Sequence, residues 1–252
     1  MNHRRIFLAG ALVASTLIGM GVYWYRERAM NALFAEAAAG TSDSPEAVRK
    51  LGQYRGARST ELLLGIAMGY TNSLLPSAQC DAIKVLGSRA DPKVAEHLAR
   101  LLQPNSTLPV REAVADSLKS LPCNYNCMAS VMHYLERISR GELNSEDQGP
   151  ADPSIDQDVG SKLANEQQAL YQTLYEILRS KPSTTLRVLI DTYGVGTSMP
   201  STFALTLATS ANLRVACPLL RRSEQRMAQG RPGQYKEPRT ELGEALKRLE
   251  CE

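Results

Sequence analysis

The chain has 252 residues, and its 29 lysine and arginine residues against 26 aspartate and glutamate residues give a formal net charge of +3. Nucleic-acid binders concentrate positive charge on one face or stripe, whereas this chain mixes the two signs, so we expect no nucleic-acid partner. Only three phenylalanines and one tryptophan occur, and no long alternating run of β-branched residues is present. This composition favours an all-α fold.

The first predicted element is an apolar helix from Ile6 to Tyr25, which contains no charged residue. At about 1.5 Å per residue it reaches roughly 30 Å, the thickness of the hydrocarbon core of a bilayer. Tyr23, Trp24 and Tyr25 stand at its far edge, where amphipathic rings favour the membrane interface. The pattern predicts a single-pass anchor within residues 1–30, with the bilayer as a partner.

A cleaved export signal is the main alternative to an anchor, because Arg4-Arg5-Ile6-Phe7-Leu8 resembles the twin-arginine signal of bacteria. The nearest run of small residues, Ala35 to Gly40, comes only after the aromatic and charged stretch Tyr23 to Arg28, so an anchor is preferred. Two arginines stand close to each end of the apolar helix, so the distribution of positive charge does not decide its orientation in the membrane. The short N-terminus favours an orientation in which it stays in the cytoplasm and the long remainder is translocated. We expect the body outside the cytoplasm, on the periplasmic side in a diderm bacterium.

Residues 31–139 contain a repeat of apolar positions, in steps of 35 and 32 residues. Apolar residues three and four apart share one face of a helix, so each helical pair can bury a stripe against its neighbours. The first helices align at Ala47, Val48 and Leu51, at Ala82, Ile83 and Leu86, and at Val114, Ala115 and Leu118; the second helices align at Leu63 and Ile66, Leu98 and Leu101, and Met132 and Leu135.

The residues between the two helices of a pair agree with helical hairpins, since Asp91 suits an N-cap and Pro92 suits the first helical position. The segment Pro109-Val110-Arg111-Glu112-Ala113-Val114-Ala115-Asp116-Ser117-Leu118 resembles the first helix of a HEAT-like repeat, of the short type also found in phycobilisome-lyase relatives, and Ala82-Ile83-Lys84-Val85-Leu86-Gly87 is similar. Tetratricopeptide repeats have a similar period, but their aromatic and small-residue signature is missing.

The HEAT-like resemblance covers about residues 44–139 and implies an α-solenoid of helical hairpins. Such stacks usually bind other proteins along a concave surface, so the resemblance implies a membrane-anchored scaffold for a protein partner that the sequence does not identify. It implies no catalytic residue, because these repeats share core positions and not an active site. The alternative function is an enzyme or enzyme-assembly factor related to the HEAT-like lyases.

The stretch of residues 140–165 is rich in glycine, proline and acidic residues, and we expect it to form a disordered loop. Asp156, Asp158 and Gly160 match part of an EF-hand loop, but Gln167 stands where the bidentate glutamate belongs, so no metal is predicted. Residues 166–222 are expected to form further helical pairs, either extending the same stack or packing as a separate bundle. Residues 223–252 are expected to form a basic linker and a short helix that caps the body.

The five cysteines cannot all pair within the chain. Cys123 and Cys127 lie in a predicted turn between two helices. If the body is exported, the two cysteines could form a local disulfide, and if it is cytosolic, we expect two free thiols. Zinc is not expected, because no second pair of cysteine or histidine ligands stands at a suitable spacing.

No catalytic or cofactor-binding residue is predicted. His97 and His133 fall on predicted second helices without a metal-binding motif or a nucleophile beside them, so we expect surface or core histidines and no cofactor. The enzyme alternative requires a deep polar pocket between the two helical halves, around these histidines and Tyr193.

Overall fold

The computed structural model describes residues 3–69, 75–103, 106–140, 157–196, 201–228 and 236–251. The regular structure in these ranges is helical, without a strand, which confirms the all-α class. The helices are α1 (His3–Ala38), α2 (Ser44–Gln53), α3 (Ala57–Ala67), α4 (Pro76–Gly87), α5 (Pro92–Ala99), α6 (Leu108–Ser120), α7 (Tyr125–Ser139), α8 (Gln157–Ser180), α9 (Pro182–Tyr193), α10 (Thr202–Ser210), α11 (Cys217–Ala228) and α12 (Lys236–Arg248), with a short 3-10 helix (Arg214–Ala216) before α11.

The apolar positions that align between the helical pairs are buried, from Ala47 in α2 to Leu135 in α7, and the most exposed of them, Leu101, shows 8% of its surface. The prediction that each pair buries one stripe is therefore confirmed. The carboxylate of Asp91 accepts a hydrogen bond from the Lys93 backbone amide at 2.8 Å, which confirms the predicted cap of α5. Asn124 caps α7 in the same way.

The chain divides into two compact units, Met1–Leu86 and Gly87–Glu252. In unit 1, the C-terminal half of α1 packs on α2 and α3, and its Met30 and Ala37 are buried. The turn from α1 to α2 is held by the buried Ser44 hydroxyl, which donates to the Glu36 carbonyl oxygen and accepts from the Thr41 amide. This turn fixes the angle between α1 and the hairpin that follows it.

Unit 2 has two helical layers, because α5 contacts α7 and α7 contacts α9, while α6 contacts α8. The sequence left open whether the helices after the acidic stretch extend the preceding hairpins or form a separate bundle. The contacts of α6 with α8 and of α7 with α9 show that α8 and α9 pack directly on α6 and α7. Helices α10 and α11 both contact α12 at the C-terminal end of the unit.

Three side-chain bonds to backbone carbonyls connect successive turns of unit 2. The hydroxyl of Ser120 donates to the Gly87 carbonyl at 3.1 Å, and Nζ of Lys181 donates to the Leu121 carbonyl at 2.7 Å. Nε of Arg179 donates to the carbonyl oxygen of Ala211 at 3.2 Å. Burial lowers the pKa of the Lys181 ammonium group. All three carbonyls lie at helix ends, and the Leu121 carbonyl also accepts a hydrogen bond from the Cys123 backbone amide.

Two glycines let the first helices of the hairpins approach closely. A Cβ at Gly52 of α2 would lie 2.8 Å from Cγ1 of Val85 in α4, and a Cβ at Gly87 of α4 would lie 2.8 Å from Cβ of Ser117 in α6. The two glycines are 35 residues apart and their partners 32, the same steps as in the sequence alignment. A close approach between helices therefore occurs at both glycines.

Two predicted boundaries differ from the structure. Helix α8 begins at Gln157, so the end of the segment predicted to be a disordered loop is helical, and residues 141–156 lie outside the described ranges. Helix α11 continues to Ala228, into the predicted basic linker, because Leu220, Ser223 and Met227 form a buried stripe.

The predicted anchor lies within α1. Of its residues 6–25, the side chains of residues 6–18 lie outside the described part of the structure. No helix among the described residues is both long enough and apolar enough to cross a bilayer. The anchor stays a prediction.

Replacing Gly87 by alanine should lower the free energy of unfolding by about 1 to 2 kcal/mol, because overpacking outweighs the gain in helix propensity. The added methyl group would meet the side chain of Ser117, which is buried, and would lie 3.2 Å from its Cα. Gly243→Ala is the matched control, since a Cβ there meets no atom within 4 Å and should stabilise α12. Urea unfolding of both variants checks this prediction. If Gly87→Ala raised the free energy of unfolding as much as Gly243→Ala, that result would contradict the close approach of Gly87 to Ser117.

Candidate functional site

The aromatic residues predicted at the membrane interface are exposed on α1, with 66% of the surface of Tyr23, 65% of Trp24 and 75% of Tyr25 accessible. Met20 and Val22 are exposed by 63% each. Consecutive residues of a helix point in directions about 100° apart, so these side chains cover the whole circumference of α1. The structure thus leaves a segment of α1 with large apolar side chains exposed all around its axis.

Arg26 marks the point where α1 meets the rest of unit 1. Its guanidinium group donates to the Arg55 carbonyl oxygen at 2.8 Å and lies 5.6 Å from the centre of the Tyr54 ring. Both partners belong to the turn between α2 and α3. One helical turn later Met30 is buried, so α1 changes from exposed apolar helix to packed helix within a few residues.

The structure pairs Cys123 with Cys127, whose Cα atoms are 5.3 Å apart at the start of α7. It also pairs Cys217, at the start of α11, with Cys251, just after α12. The sequence analysis missed this second pair, which lies 34 residues apart. Cys80 belongs to neither disulfide.

A polar face runs across α5, α7 and α9, and we call it the polar face below. Its described side chains are Glu96, His97, Asn126, His133, Glu136 and Tyr193. The amide of Asn126 donates to Glu96 at 3.3 Å and joins α7 to α5. The Tyr193 hydroxyl donates to Glu136 at 3.1 Å and joins α9 to α7. The polar face is therefore cross-linked by hydrogen bonds between its three helices.

Glu136 contacts three other side chains where α7 packs on α9. Its carboxylate also pairs with Arg140, one turn further along α7, and lies 3.8 Å from Nδ1 of the exposed His133. Burial raises the pKa of Tyr193, and the negative charge of Glu136 raises it further, so the phenol keeps its proton at neutral pH. The hydrogen bond from Asn126 is the main cause that lowers the pKa of Glu96.

The two histidines of the polar face lie on different helices. His97 lies on α5 and His133 on α7, both exposed, and neither stands beside a serine or cysteine nucleophile within hydrogen-bond reach among the described side chains. Within the described ranges no three histidine, cysteine or acidic side chains come together as a metal site. His97, Asn126 and His133 are exposed on this face, whereas Glu96, Glu136 and Tyr193 are half-buried.

A cleft of about 150 Å³ lies elsewhere in unit 2, between α10 and α12. Its lining includes Thr202, whose hydroxyl donates to Glu241 at 2.9 Å, together with Leu205 and Arg248. None of His97, His133 and Tyr193 lines this cleft. The enzyme alternative thus gains no support from it.

No family model, curated protein or solved structure matches the chain. The HEAT-like resemblance therefore stays an expectation from the residues that suggested it. The sequence drew attention to His97, His133 and Tyr193, but it did not show the role of Glu136, which the packing of α7 on α9 reveals. The spacing of His133 and Glu136 places both on one face of α7, but no local signal shows the hydrogen bond from Tyr193, 57 residues away.

The two disulfides should contribute unequally to stability, because a longer closed loop removes more conformational freedom from the unfolded chain. Removing the pair Cys217 and Cys251, 34 residues apart, should lower the free energy of unfolding by about 3 to 4 kcal/mol. Removing Cys123 and Cys127, 4 residues apart, should cost about 2 kcal/mol. Urea unfolding of the two double-alanine variants tests the order, and a larger loss for the local pair would contradict it.

Tyr193→Phe should lower the free energy of unfolding by about 1 kcal/mol at neutral pH, because it removes the hydrogen bond to Glu136. The pKa of Tyr193 is raised in the folded chain, whereas the unfolded phenol has the ordinary value of 10.0. The contribution of this tyrosine is therefore complete below pH 10 and is lost as the pH rises further.

Urea unfolding of the wild type and Tyr193→Phe at about pH 7 and about pH 11 checks this sign. The stability difference between them should shrink at the higher pH. The control is Tyr125→Phe, since the Tyr125 hydroxyl forms no hydrogen bond to the described side chains. A difference for Tyr193→Phe that stays constant with pH would show that its hydroxyl is not coupled to folding.

Proposed function

We propose that this protein is a membrane-anchored helical scaffold. Helix α1 fixes the chain to a bilayer, and the polar face of α5, α7 and α9 holds a partner protein. The body lies outside the cytoplasm, and the protein catalyses no reaction.

The observation that carries this proposal is the exposed apolar segment Met20–Tyr25 of α1. A surface helix of a soluble protein has one polar face, but this segment exposes large apolar side chains all around its axis. Exposed apolar surface of this kind is typical of contact with a membrane or another protein. The uncharged sequence continues back to Ile6, which favours the bilayer because its length matches the hydrocarbon core.

The two disulfides support a body outside the cytoplasm. Structural disulfides persist in oxidising compartments and are rare in the cytosol. Four of the five cysteines stand in pairs whose geometry allows a bond, with Cα atoms 5.3 Å and 5.5 Å apart. The compartment thus agrees with the orientation expected from the short N-terminus.

The proposed partner-binding role rests on the arrangement of the three helices that carry the polar face. Second helices α5, α7 and α9 form one layer, so their outward side chains make a continuous surface. The hydrogen bonds of Asn126 with Glu96 and of Tyr193 with Glu136 hold this surface in one arrangement. A preorganised surface loses less side-chain entropy on binding, which favours a binding module.

Alkaline carbonate extraction of membranes from cells that express the full chain tests the anchor. The wild type should stay in the membrane pellet, because an uncharged span of this length inserts stably. Ala11→Arg combined with Leu17→Arg should release the protein, since each arginine in the middle of the span costs about 2.5 to 3.5 kcal/mol.

Ala35→Arg is the matched control for this experiment. Ala35 is exposed and lies on α1 beyond the apolar segment, so its variant should stay in the pellet. The mature N-terminus, read by mass spectrometry of the same fraction, separates an anchor from a cleaved signal. Wild-type protein in the soluble fraction with an intact N-terminus would refute the anchor.

A photo-crosslinking amino acid placed at His97 or at His133 tests the partner. Both positions are exposed on the polar face, so irradiation in cells should give one discrete protein adduct from each. The same amino acid at Arg222, which is exposed on α11, should give no such adduct. Equal labelling at all three positions, or at none, would contradict binding by the polar face.

A further inference from the structure

The base of the exposed apolar segment carries an excess of positive charge. Arg26 and Arg28 follow Tyr25 directly in α1, and Arg55 lies in the turn that Arg26 holds. All three side chains are exposed. We call these three arginines the collar.

The geometry of Arg26 brings Arg55 to the collar. Because the guanidinium group of Arg26 donates to the Arg55 carbonyl at 2.8 Å, the α2–α3 turn is fixed beside the first turn of α1 after the aromatic residues. The contact of Arg26 with the Tyr54 ring, at 5.6 Å from its centre, adds to this attachment. The backbone of Arg55 is thus held beside Arg26, although the two residues are 29 positions apart in the chain.

The side chain of Arg28 lies over the ring of Trp24. Its guanidinium carbon lies 5.5 Å from the centre of the Trp24 ring, one turn closer to the N-terminus. Tryptophan favours the headgroup layer of a membrane. The Arg28 charge therefore stands where lipid phosphates would stand if Trp24 lies at the interface.

The charges of the collar are not neutralised by the protein. Among the residues with described side chains, none of the three arginines forms an ion pair with a carboxylate. Glu27 lies in the same turn, where its carboxylate accepts a hydrogen bond from the Tyr23 hydroxyl at 3.4 Å. Three positive charges thus stand against one negative charge. Arg58, by contrast, is paired with Glu61 at 2.9 Å and does not belong to the collar.

We propose that the collar of Arg26, Arg28 and Arg55 binds the phosphates of anionic lipids and holds the α2–α3 turn on the membrane surface. This inference rests on the proposed membrane anchor. Arginine suits the role because its planar guanidinium group can donate two parallel hydrogen bonds to a phosphate. The partner is a lipid headgroup, because the collar adjoins exposed apolar residues that a soluble phosphate would leave in water.

Hydrogen exchange of the full chain in vesicles tests the proposal. One set of vesicles contains phosphatidylcholine alone, and the other contains phosphatidylcholine and phosphatidylglycerol in a ratio of about three to one. Anionic lipid should slow exchange of the amides in residues 51–60 by roughly fivefold or more, because each basic residue near an anionic surface contributes about 1 kcal/mol. The variant Arg28→Gln with Arg55→Gln should lose this difference, and Arg26 is left in place because it holds the turn.

The control variant, Lys84→Gln with Arg222→Gln, removes the same charge from two exposed positions outside the collar and should keep the effect. Equal exchange in both kinds of vesicle would overturn the proposal while leaving the anchor intact. Retention of the effect in the collar variant would also overturn it. Failure of the wild type to associate with either kind of vesicle would refute the anchor, and the inference would fall with it.

Discussion

The close approach of two helices at a glycine is the constraint on which the packing within each unit depends. Gly52 faces Val85 within unit 1, and Gly87 faces Ser117 within unit 2, at distances that leave no room for a Cβ. Helices that approach so closely bring their ends into reach of one another, which allows Ser120 to bond the carbonyl of Gly87. In unit 2 the same layering continues through α6 on α8 and places α5, α7 and α9 side by side. The polar face is a consequence of this packing.

Local periodicity explains what the sequence could predict. The apolar positions of the hairpins are buried as expected, because a spacing of three and four residues fixes one face of a helix wherever it packs. The cap at Asp91 was predictable for the same reason, since it depends on residues two positions apart. Helix ends were less predictable. The start of α8 lies in a stretch whose glycine and acidic composition indicates a loop, and the extension of α11 depends on the burial of Met227 by other helices.

Contacts between distant residues could not be predicted. Nothing local distinguishes Cys217 and Cys251 as partners, because their pairing requires α11 and α12 to lie side by side. The bond between Tyr193 and Glu136 joins residues 57 positions apart and follows from the packing of α9 on α7. Sequence reasoning identified the histidines and Tyr193 one by one, but the hydrogen-bonded arrangement around Glu136 needed the structure. The exposed aromatic residues of α1 were expected at the end of an apolar helix, and their exposure depends on the point at which α1 begins to pack.

The way in which α1 packs on the rest of unit 1 determines what kind of tether the proposed anchor would be. A glycine- or serine-rich linker would let the body move freely over the membrane. Here the helix passes without interruption from the exposed apolar segment into the buried residues Met30 and Ala37, and Arg26 ties it to the α2–α3 turn at the junction. A continuous helix transmits its direction to the unit that it enters. Unit 1 would therefore keep one orientation towards the bilayer, and the collar would meet the lipid surface in every molecule. An anchor built in this way restricts where the attached unit can lie as well as holding it at the membrane.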